Sequence, residues 1–157
     1  MQTKFSGSWI VCQQVSIQLV KEKSVKYKRV CRAQDVINVA KSVIGNADRE
    51  YGIVLCLDAR GKITAVNTAS IGTLNAAYVH PREIFKPAIL SNTDRIIFVH
   101  NHPSGDFHPS ESDNEITKRL REAGKILGIP LIDSVIIGDD GYYSFADEQN
   151  WREAPDG

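Results

Sequence analysis

The strongest constraint on the fold is the alternation of short apolar runs with segments of helical periodicity. The strand-like runs are "YGIVLCLD" from Tyr51, "RIIFVH" from Arg95 and "LIDSVII" from Leu131. Runs of this length are typical of buried strands, and the segments between them repeat apolar residues at the spacing of one helix face. The sequence therefore predicts strands and helices that interleave along the chain.

Three helices are indicated by this spacing. They contain Val36, Pro81 and Ile116, and the first and third are followed by Gly45 and Gly128. Proline is favoured at a first helical position, as expected for Pro81. Glycine is common just past the last helical turn, so the two glycines are expected to end their helices.

Two hairpins are also predicted. "DARGK" joins "YGIVLCLD" to "ITAVNTASIG", and the Asp140–Gly141 turn divides "LIDSVIIGDDGYYSF". A further strand, "VSIQLVKE" from Val15, alternates apolar and polar residues. Hairpins are antiparallel, so we expect an α/β (α+β) protein with a mixed sheet flanked by helices. Residues 1–157 are expected to form one domain, with a polar tail from Ala146 that frays although Trp151 could anchor it.

The charge balance limits the classes of partner. Lys and Arg together number 19, as do Asp and Glu, so the formal net charge is zero. Tight non-specific binding of nucleic acid depends on excess positive charge, which the chain as a whole lacks. The local exception is "KEKSVKYKRVCR", Lys21 to Arg32, with six bases and one acid. A solvated strand and turn is favoured over a nucleic-acid patch for this cluster.

The cysteines and the apolar runs bear on location. Cys12, Cys31 and Cys56 are scattered and form no CxxC pair, which favours reduced thiols in a cytoplasmic protein. The start of the chain lacks the apolar region of a signal peptide. No apolar run approaches the roughly 18–20 residues of a membrane span, so no membrane association is expected.

A group of candidate metal ligands follows the "RIIFVH" strand. His100 and His102 are two residues apart, and side chains at this spacing on an extended backbone point to the same side. Asp113 can supply a third ligand from the first turn of the following helix, and the pattern is H-x-H-x₇-S-x₂-D, with Ser110 as its serine. Zinc accepts imidazole nitrogen and carboxylate oxygen, and a catalytic zinc keeps one position for water.

Other interpretations of these residues stay open. Ser110 and Asp113 also resemble a capping box, which would explain both without a metal. His108 could rival Asp113 as a ligand, although a solvated loop histidine is favoured. His80 is expected to cap a helix rather than bind metal, and Asp106 to be a turn residue.

A metal-dependent hydrolase also needs a carboxylate base near the metal but not bound to it. The candidates in the sequence are Glu50, Glu83, Asp58, Glu111 and Glu115. Glu50 begins a buried strand, where a carboxylate needs a partner or a function, although a solvated strand end explains it equally well.

These residues resemble a known family. The H-x-H-x₇-S-x₂-D pattern with an upstream glutamate is similar to the JAMM motif of MPN-type zinc metalloproteases. The stretches "GTLNAAYVHPREIFKPAIL", "VHNHPSGD" and "REAGKILGIPLIDSVIIGDDGYYSF" resemble the RadC family. The resemblance covers roughly Asp48 to Phe145.

The resemblance implies a fold and a set of roles. The fold would be an α/β/α sandwich around a mixed, largely antiparallel sheet. Zinc would bind His100, His102 and Asp113, Glu50 would be the general acid/base for a metal-activated water, and Ser110 would donate a hydrogen bond to the oxyanion. The implied function is a zinc-dependent hydrolase of peptide or isopeptide bonds, acting on a peptide or protein substrate.

Two departures from the family matter. Full-length RadC proteins carry a helical N-terminal part with helix-hairpin-helix character, and the residues before Asp48 are too few for it, so a stand-alone domain is expected. In "DFHPS", Phe107 and His108 replace a smaller polar pair, which could alter the mouth of the site. A DNA-repair accessory role of the RadC type is the alternative function, with the Lys21–Arg32 cluster in its favour. A metal nuclease, a zinc deaminase and a non-catalytic scaffold are less favoured.

Overall fold

The structure is a computed structural model that describes residues 29–72 and 79–149 together with Ser16 and Trp151. The helices are α1 (Ala33–Ile44), α2 (Pro81–Leu90), α3 (Glu111–Leu127) and α4 (Phe145–Glu148). The strands are β1 (Glu50–Leu57), β2 (Ile63–Gly72), β3 (Arg95–Asn101), β4 (Leu131–Ile137) and β5 (Tyr142–Ser144). The predicted strand from Val15 and most of the Lys21–Arg32 cluster lie outside the described residues.

The predicted helices are present, and the first and third are each followed by a glycine with positive φ. Gly45 follows α1 with φ 60°, and Gly128 follows α3 in the left-handed region with φ 68°. His80 is the N-cap of α2, where its Nδ1 accepts a hydrogen bond from the Arg82 N–H at 3.2 Å. Within residues 29–72 and 79–149, no helix is both long and apolar enough to cross a bilayer.

The five strands form one sheet in the order β2-β1-β3-β4-β5. β1 pairs antiparallel with both β2 and β3, and β4 pairs antiparallel with β5. Only β3 and β4 run parallel, because α3 crosses over between them. The prediction of a mixed, largely antiparallel sheet is confirmed.

Helices cover both faces of this sheet. Successive residues of β1 point to opposite sides, so that Ile53 packs with α1 whereas Val54 packs with α2 and α3. Both residues are fully buried, and burying an aliphatic side chain of this kind stabilises the fold by about 1.5–3 kcal/mol. The predicted α/β/α sandwich is confirmed. The residues at the C-terminal end also contribute, since Trp151 packs against Phe145 and beneath Arg121.

The topology brings three chain segments together at one end of the central strands. β3 ends at Asn101, and the parallel crossover places the start of α3 at that same end. β1 runs in the opposite direction, with Gly52 paired to His100, so its first residue, Glu50, lies there too. Residues distant in sequence therefore meet where β3 ends.

Gly124 sets the distance between α3 and β4. A Cβ atom at position 124 would lie 2.6 Å from the carbonyl oxygen of Ile129 and 3.1 Å from the nitrogen of Leu131. We expect Gly124→Ala to lower the free energy of unfolding by about 1–3 kcal/mol, because the clash is with backbone and outweighs the better helix propensity of alanine. Urea denaturation checks this, with exposed Glu122→Ala as control. A stabilised Gly124→Ala protein would contradict the close approach.

Asp133 of β4 accepts hydrogen bonds from the Ser144 hydroxyl at 2.8 Å and the Ala146 N–H at 3.0 Å. Burial raises the pKa of Asp133 to about 6 from 3.8. A raised folded-state pKa stabilises the protein below about pH 4, and this contribution is lost as pH rises through 6. Relative to Asp133→Asn, wild type should lose on the order of 2 kcal/mol between pH 4 and 7. The measurement is the free energy of unfolding of both proteins at several pH values. An equal change with pH in the two proteins would refute the prediction.

Candidate metal centre

His100 and His102 converge at the end of β3. Their Nε2 atoms are 3.2 Å apart, and the ring centroids are separated by 5.1 Å. His100 is 1% exposed and packs beside Phe98, whereas His102 is half-buried. The convergence predicted from the two-residue spacing is therefore present.

Asp113 reaches the same point from the first turn of α3. Its Oδ1 lies 3.0 Å from Nε2 of His100, and its Oδ2 lies 3.4 Å from Nε2 of His102. The carboxylate is 3% exposed. One ligand atom from each of the three residues can be chosen so that all lie within 4.8 Å of one another, and no other such group occurs among the described residues.

The donor set fits a small divalent cation. Ligand atoms about 2.0–2.1 Å from a tetrahedral zinc ion lie roughly 3.3 Å from each other, close to the separations here. Nδ1 of His102 lies 2.7 Å from the carbonyl oxygen of Asp106, which can only accept a hydrogen bond. Nδ1 therefore carries the proton, and in the neutral ring Nε2 presents its lone pair to the centre.

The electrostatics keep the carboxylate ionised. Burial alone would raise the pKa of Asp113, but hydrogen bonds from His100, His102 and Ser110 hold that pKa far below its usual range. The pKa of His102 is raised, first by its hydrogen bond to Asp113 and to a smaller extent by the backbone of Asp106 and the charge of Glu50. A cation can bind Nε2 of His102 only when that atom carries no proton, so binding should weaken in acid.

Ser110 and Asp113 form the capping box that the sequence also indicated. The Ser110 hydroxyl donates to Oδ2 of Asp113 at 2.6 Å and accepts from the Asp113 N–H at 3.2 Å. The Ser110 N–H donates to the same Oδ2 at 2.7 Å. The cap and a metal site are compatible, because the cap fixes the orientation of the carboxylate. Since the hydroxyl donates to Asp113 here, its role as an oxyanion donor stays a prediction.

Glu50 is the candidate base whose charge acts on a ligand of this centre. It begins β1, is half-buried, and its charge acts on His102. The other candidates are placed differently: Asp58 accepts backbone hydrogen bonds from Arg60 and Lys62 in the β1–β2 turn, and Glu83 pairs with Lys86 on α2. Glu111 and Glu115 are exposed on α3.

The loop after His102 holds that histidine in place. Phe107 packs against the β4–β5 turn, so closely that a Cβ at Gly141 would lie 2.6 Å from the Phe107 ring. The Asp106 carboxylate accepts a hydrogen bond from Nδ1 of His108 at 2.6 Å, and His108 stacks on Phe107 with its side chain 72% exposed. His108 is thus outside the group of His100, His102 and Asp113.

Two contributors to the site were not predicted. One is the Asp106 carbonyl group, which is backbone and has no sequence signal. The other is Asn101, whose Oδ1 accepts from the Tyr51 N–H at 2.8 Å and whose Nδ2 donates to the Arg49 carbonyl oxygen at 3.1 Å. Its position between the two histidines of H-x-H is the only signal that could have identified it.

A shallow cleft of about 360 Å³ opens beside Glu50. It is lined by Asp48, Arg49, Glu50, Gly72 and Pro103. Glu50 therefore faces space that a substrate could enter, next to the residue that follows His102.

Known proteins resemble this chain in sequence. The family model of the RadC-like JAB domain matches residues 30–151. The chain belongs to the RadC-like JAB domain family. Similar proteins include a UPF0758 protein of Caldanaerobacter subterraneus, 49% identical in an alignment 124 residues long that covers 74% of this chain and 53% of the relative. One from Methanosarcina barkeri is 42% identical over 121 residues, 77% of this chain and 53% of the relative.

A third UPF0758 protein, from Trichlorobacter lovleyi, is 50% identical over 99 residues, 63% of this chain and 43% of the relative. This RadC-like chain therefore spans about half the length of the curated relatives it matches. The matched region contains Glu50, His100, His102, Ser110 and Asp113, so the candidate site lies within the family domain.

We expect the purified protein to bind about one zinc ion per chain. His100→Ala and Asp113→Ala should each lose most of it, because each removes one of the three grouped ligands. Metal analysis after dialysis checks this, with His108→Ala as the matched control, since His108 contacts Asp106 rather than the centre. Unchanged zinc content in the first two variants would show that His100 and Asp113 do not bind the ion.

Proposed function

We propose that this domain is a zinc-dependent hydrolase of peptide or isopeptide bonds. The observation that carries the proposal is the convergence of two imidazoles and one buried, ionised carboxylate beside a second, half-buried carboxylate. The first three groups suit a catalytic cation, and Glu50 suits a base that the cation does not bind. A purely structural zinc site would normally be closed by a fourth protein ligand, and no fourth His, Cys, Asp or Glu joins the group in the described residues.

Zinc, when bound, supplies Lewis acidity that makes water nucleophilic at neutral pH. The residues of the chain then have separate tasks. Glu50 takes a proton from the attacking water and returns it to the leaving amine, which must be protonated to depart. Ser110 donates a hydrogen bond to the carbonyl oxygen as negative charge develops there, after its hydroxyl turns from Asp113.

The cleft beside Glu50 supports an extended, polar substrate. Its lining includes the charged side chains of Asp48 and Arg49 and the backbone of Gly72 at the end of β2. A peptide or isopeptide segment has backbone groups that could be bound there. The alternative, a DNA-repair accessory role, has no support in the described residues, because most of the Lys21–Arg32 cluster lies outside them.

A cytoplasmic location is part of the proposal. Cys31 is an exposed free thiol and Cys56 is a buried one. Burial raises the pKa of the Cys56 thiol, which keeps it protonated and unreactive. An exposed thiol such as Cys31 persists unpaired where the compartment is reducing.

Glu50→Gln tests the assignment of the base. The variant should keep its zinc, because Glu50 is not a ligand, and should lose roughly 10²–10⁴-fold in hydrolytic rate, because glutamine cannot accept the proton. The measurement is cleavage of a mixture of peptides and isopeptide-linked peptides, followed by mass spectrometry, with parallel zinc analysis. Glu115→Gln, at an exposed position on α3, is the control. Full activity in Glu50→Gln would show that another group is the base.

A further inference from the structure

Asn101 lies between two of the candidate ligands and bonds to the strand that carries the candidate base. It is the last residue of β3 and separates His100 from His102. Its side-chain amide makes two hydrogen bonds across to the start of β1 and the residue before it: it accepts from the Tyr51 N–H at 2.8 Å and donates to the Arg49 carbonyl oxygen at 3.1 Å. Arg49 and Tyr51 are the two sequence neighbours of Glu50.

These bonds occur where the pairing of β1 with β3 ends. The last paired residues on this side of β1 are Gly52 and His100. On the other side, Glu50 is paired with Gly72, the last residue of β2. The Asn101 amide therefore continues the connection to β3 by one residue pair beyond the ladder, and it does so with one donor and one acceptor.

The side chain at position 101 needs two kinds of hydrogen-bonding group. Only a side chain with both a donor and an acceptor at its end can bind a C=O and an N–H that flank one residue. Asn101 is also covalently bonded to both histidines, so its movement and theirs are linked. The two hydrogen bonds thus tie the backbone at Glu50 to the same short segment that presents His100 and His102.

We propose that Asn101 is a positioning residue that fixes Glu50 relative to His100 and His102. The inference rests on the proposed function insofar as Glu50 is the base, but the geometric claim can be tested without activity. Displacement of a reacting group by about 1 Å can lower a rate by roughly 100-fold. A fixed backbone at Glu50 is therefore a requirement for efficient proton transfer and not for metal binding.

The test compares Asn101→Ala with the wild type by amide hydrogen exchange, zinc analysis and steady-state kinetics. Loss of both hydrogen bonds should speed exchange of the Tyr51 amide by roughly tenfold or more. Zinc content should stay at the wild-type level, kcat should fall roughly 10–100-fold, and KM should change by less than about twofold. Asn67→Ala is the matched control, because Asn67 is exposed on the adjacent β2 and pairs with Val54 by backbone only.

Asn101→Asp separates the two bonds and also serves if Asn101→Ala does not fold. Aspartate keeps an acceptor for the Tyr51 N–H and loses the donor to the Arg49 carbonyl group. Slow exchange of Tyr51 should therefore be retained, while kcat should still fall below that of the wild type. A crystal structure of this variant should show Glu50 displaced while His100 and His102 stay in place.

The outcomes distinguish this inference from the proposed function. Unchanged Tyr51 exchange in Asn101→Ala, or an undisplaced Glu50 in the variant crystal structure, would overturn the positioning role whatever the activity. Loss of zinc in a folded variant would also overturn it, because Asn101 would then support the ligands rather than Glu50. If the wild type cleaves none of the substrates, the exchange and crystallographic results still decide the role of Asn101, and the proposed function alone fails.

Discussion

The site depends on the burial of one ionised carboxylate. Asp113 is almost fully enclosed, and a carboxylate in such a place is costly unless hydrogen bonds compensate for the lost water. The hydroxyl and N–H groups of Ser110 donate to it, and the Nε2 atoms of both histidines lie within 3.4 Å of its oxygens. These contacts join the first turn of α3 to the end of β3.

The same hydrogen bonds explain why a helix cap and a ligand site can share residues. The cap holds Asp113 in one rotamer, since its Oδ2 is bound by Ser110. Its Oδ1 faces His100 at 3.0 Å. A carboxylate that is already oriented loses little conformational freedom when a cation binds, so a cap of this kind favours metal binding rather than competing with it.

Much of the fold could be predicted from the sequence because its signals are local. Helix periodicity around Val36 and Ile116, the turn at Asp140–Gly141 and the two-residue spacing of the histidines each act within a few residues. The placement of Asp113 followed from a serine and an acid three residues apart at a helix start. The family resemblance supplied the role of Glu50, which no local pattern could assign.

The remaining features arise from pairing between distant residues. The Asn101 bonds to Arg49 and Tyr51 join positions about 50 apart in the chain and depend on the register of β1 against β3. A side-chain amide in an H-x-H segment does not reveal such a partner. The Asp106 carbonyl bond to His102 is made by backbone, so any residue at 106 could provide it if the loop kept its shape.

The "DFHPS" departure from the family pattern also affects the loop that orients His102. The Phe107 ring fills the space that the absence of a side chain leaves at Gly141, and the Asp139 N–H donates to the Gly105 carbonyl oxygen at 3.0 Å. Both contacts hold the loop on the β4–β5 turn, and between them lies Asp106, whose carbonyl group orients His102. Phe107 therefore acts on the ligand set through the backbone of its neighbour. His108, the other residue of the departure, is exposed and stacks on Phe107.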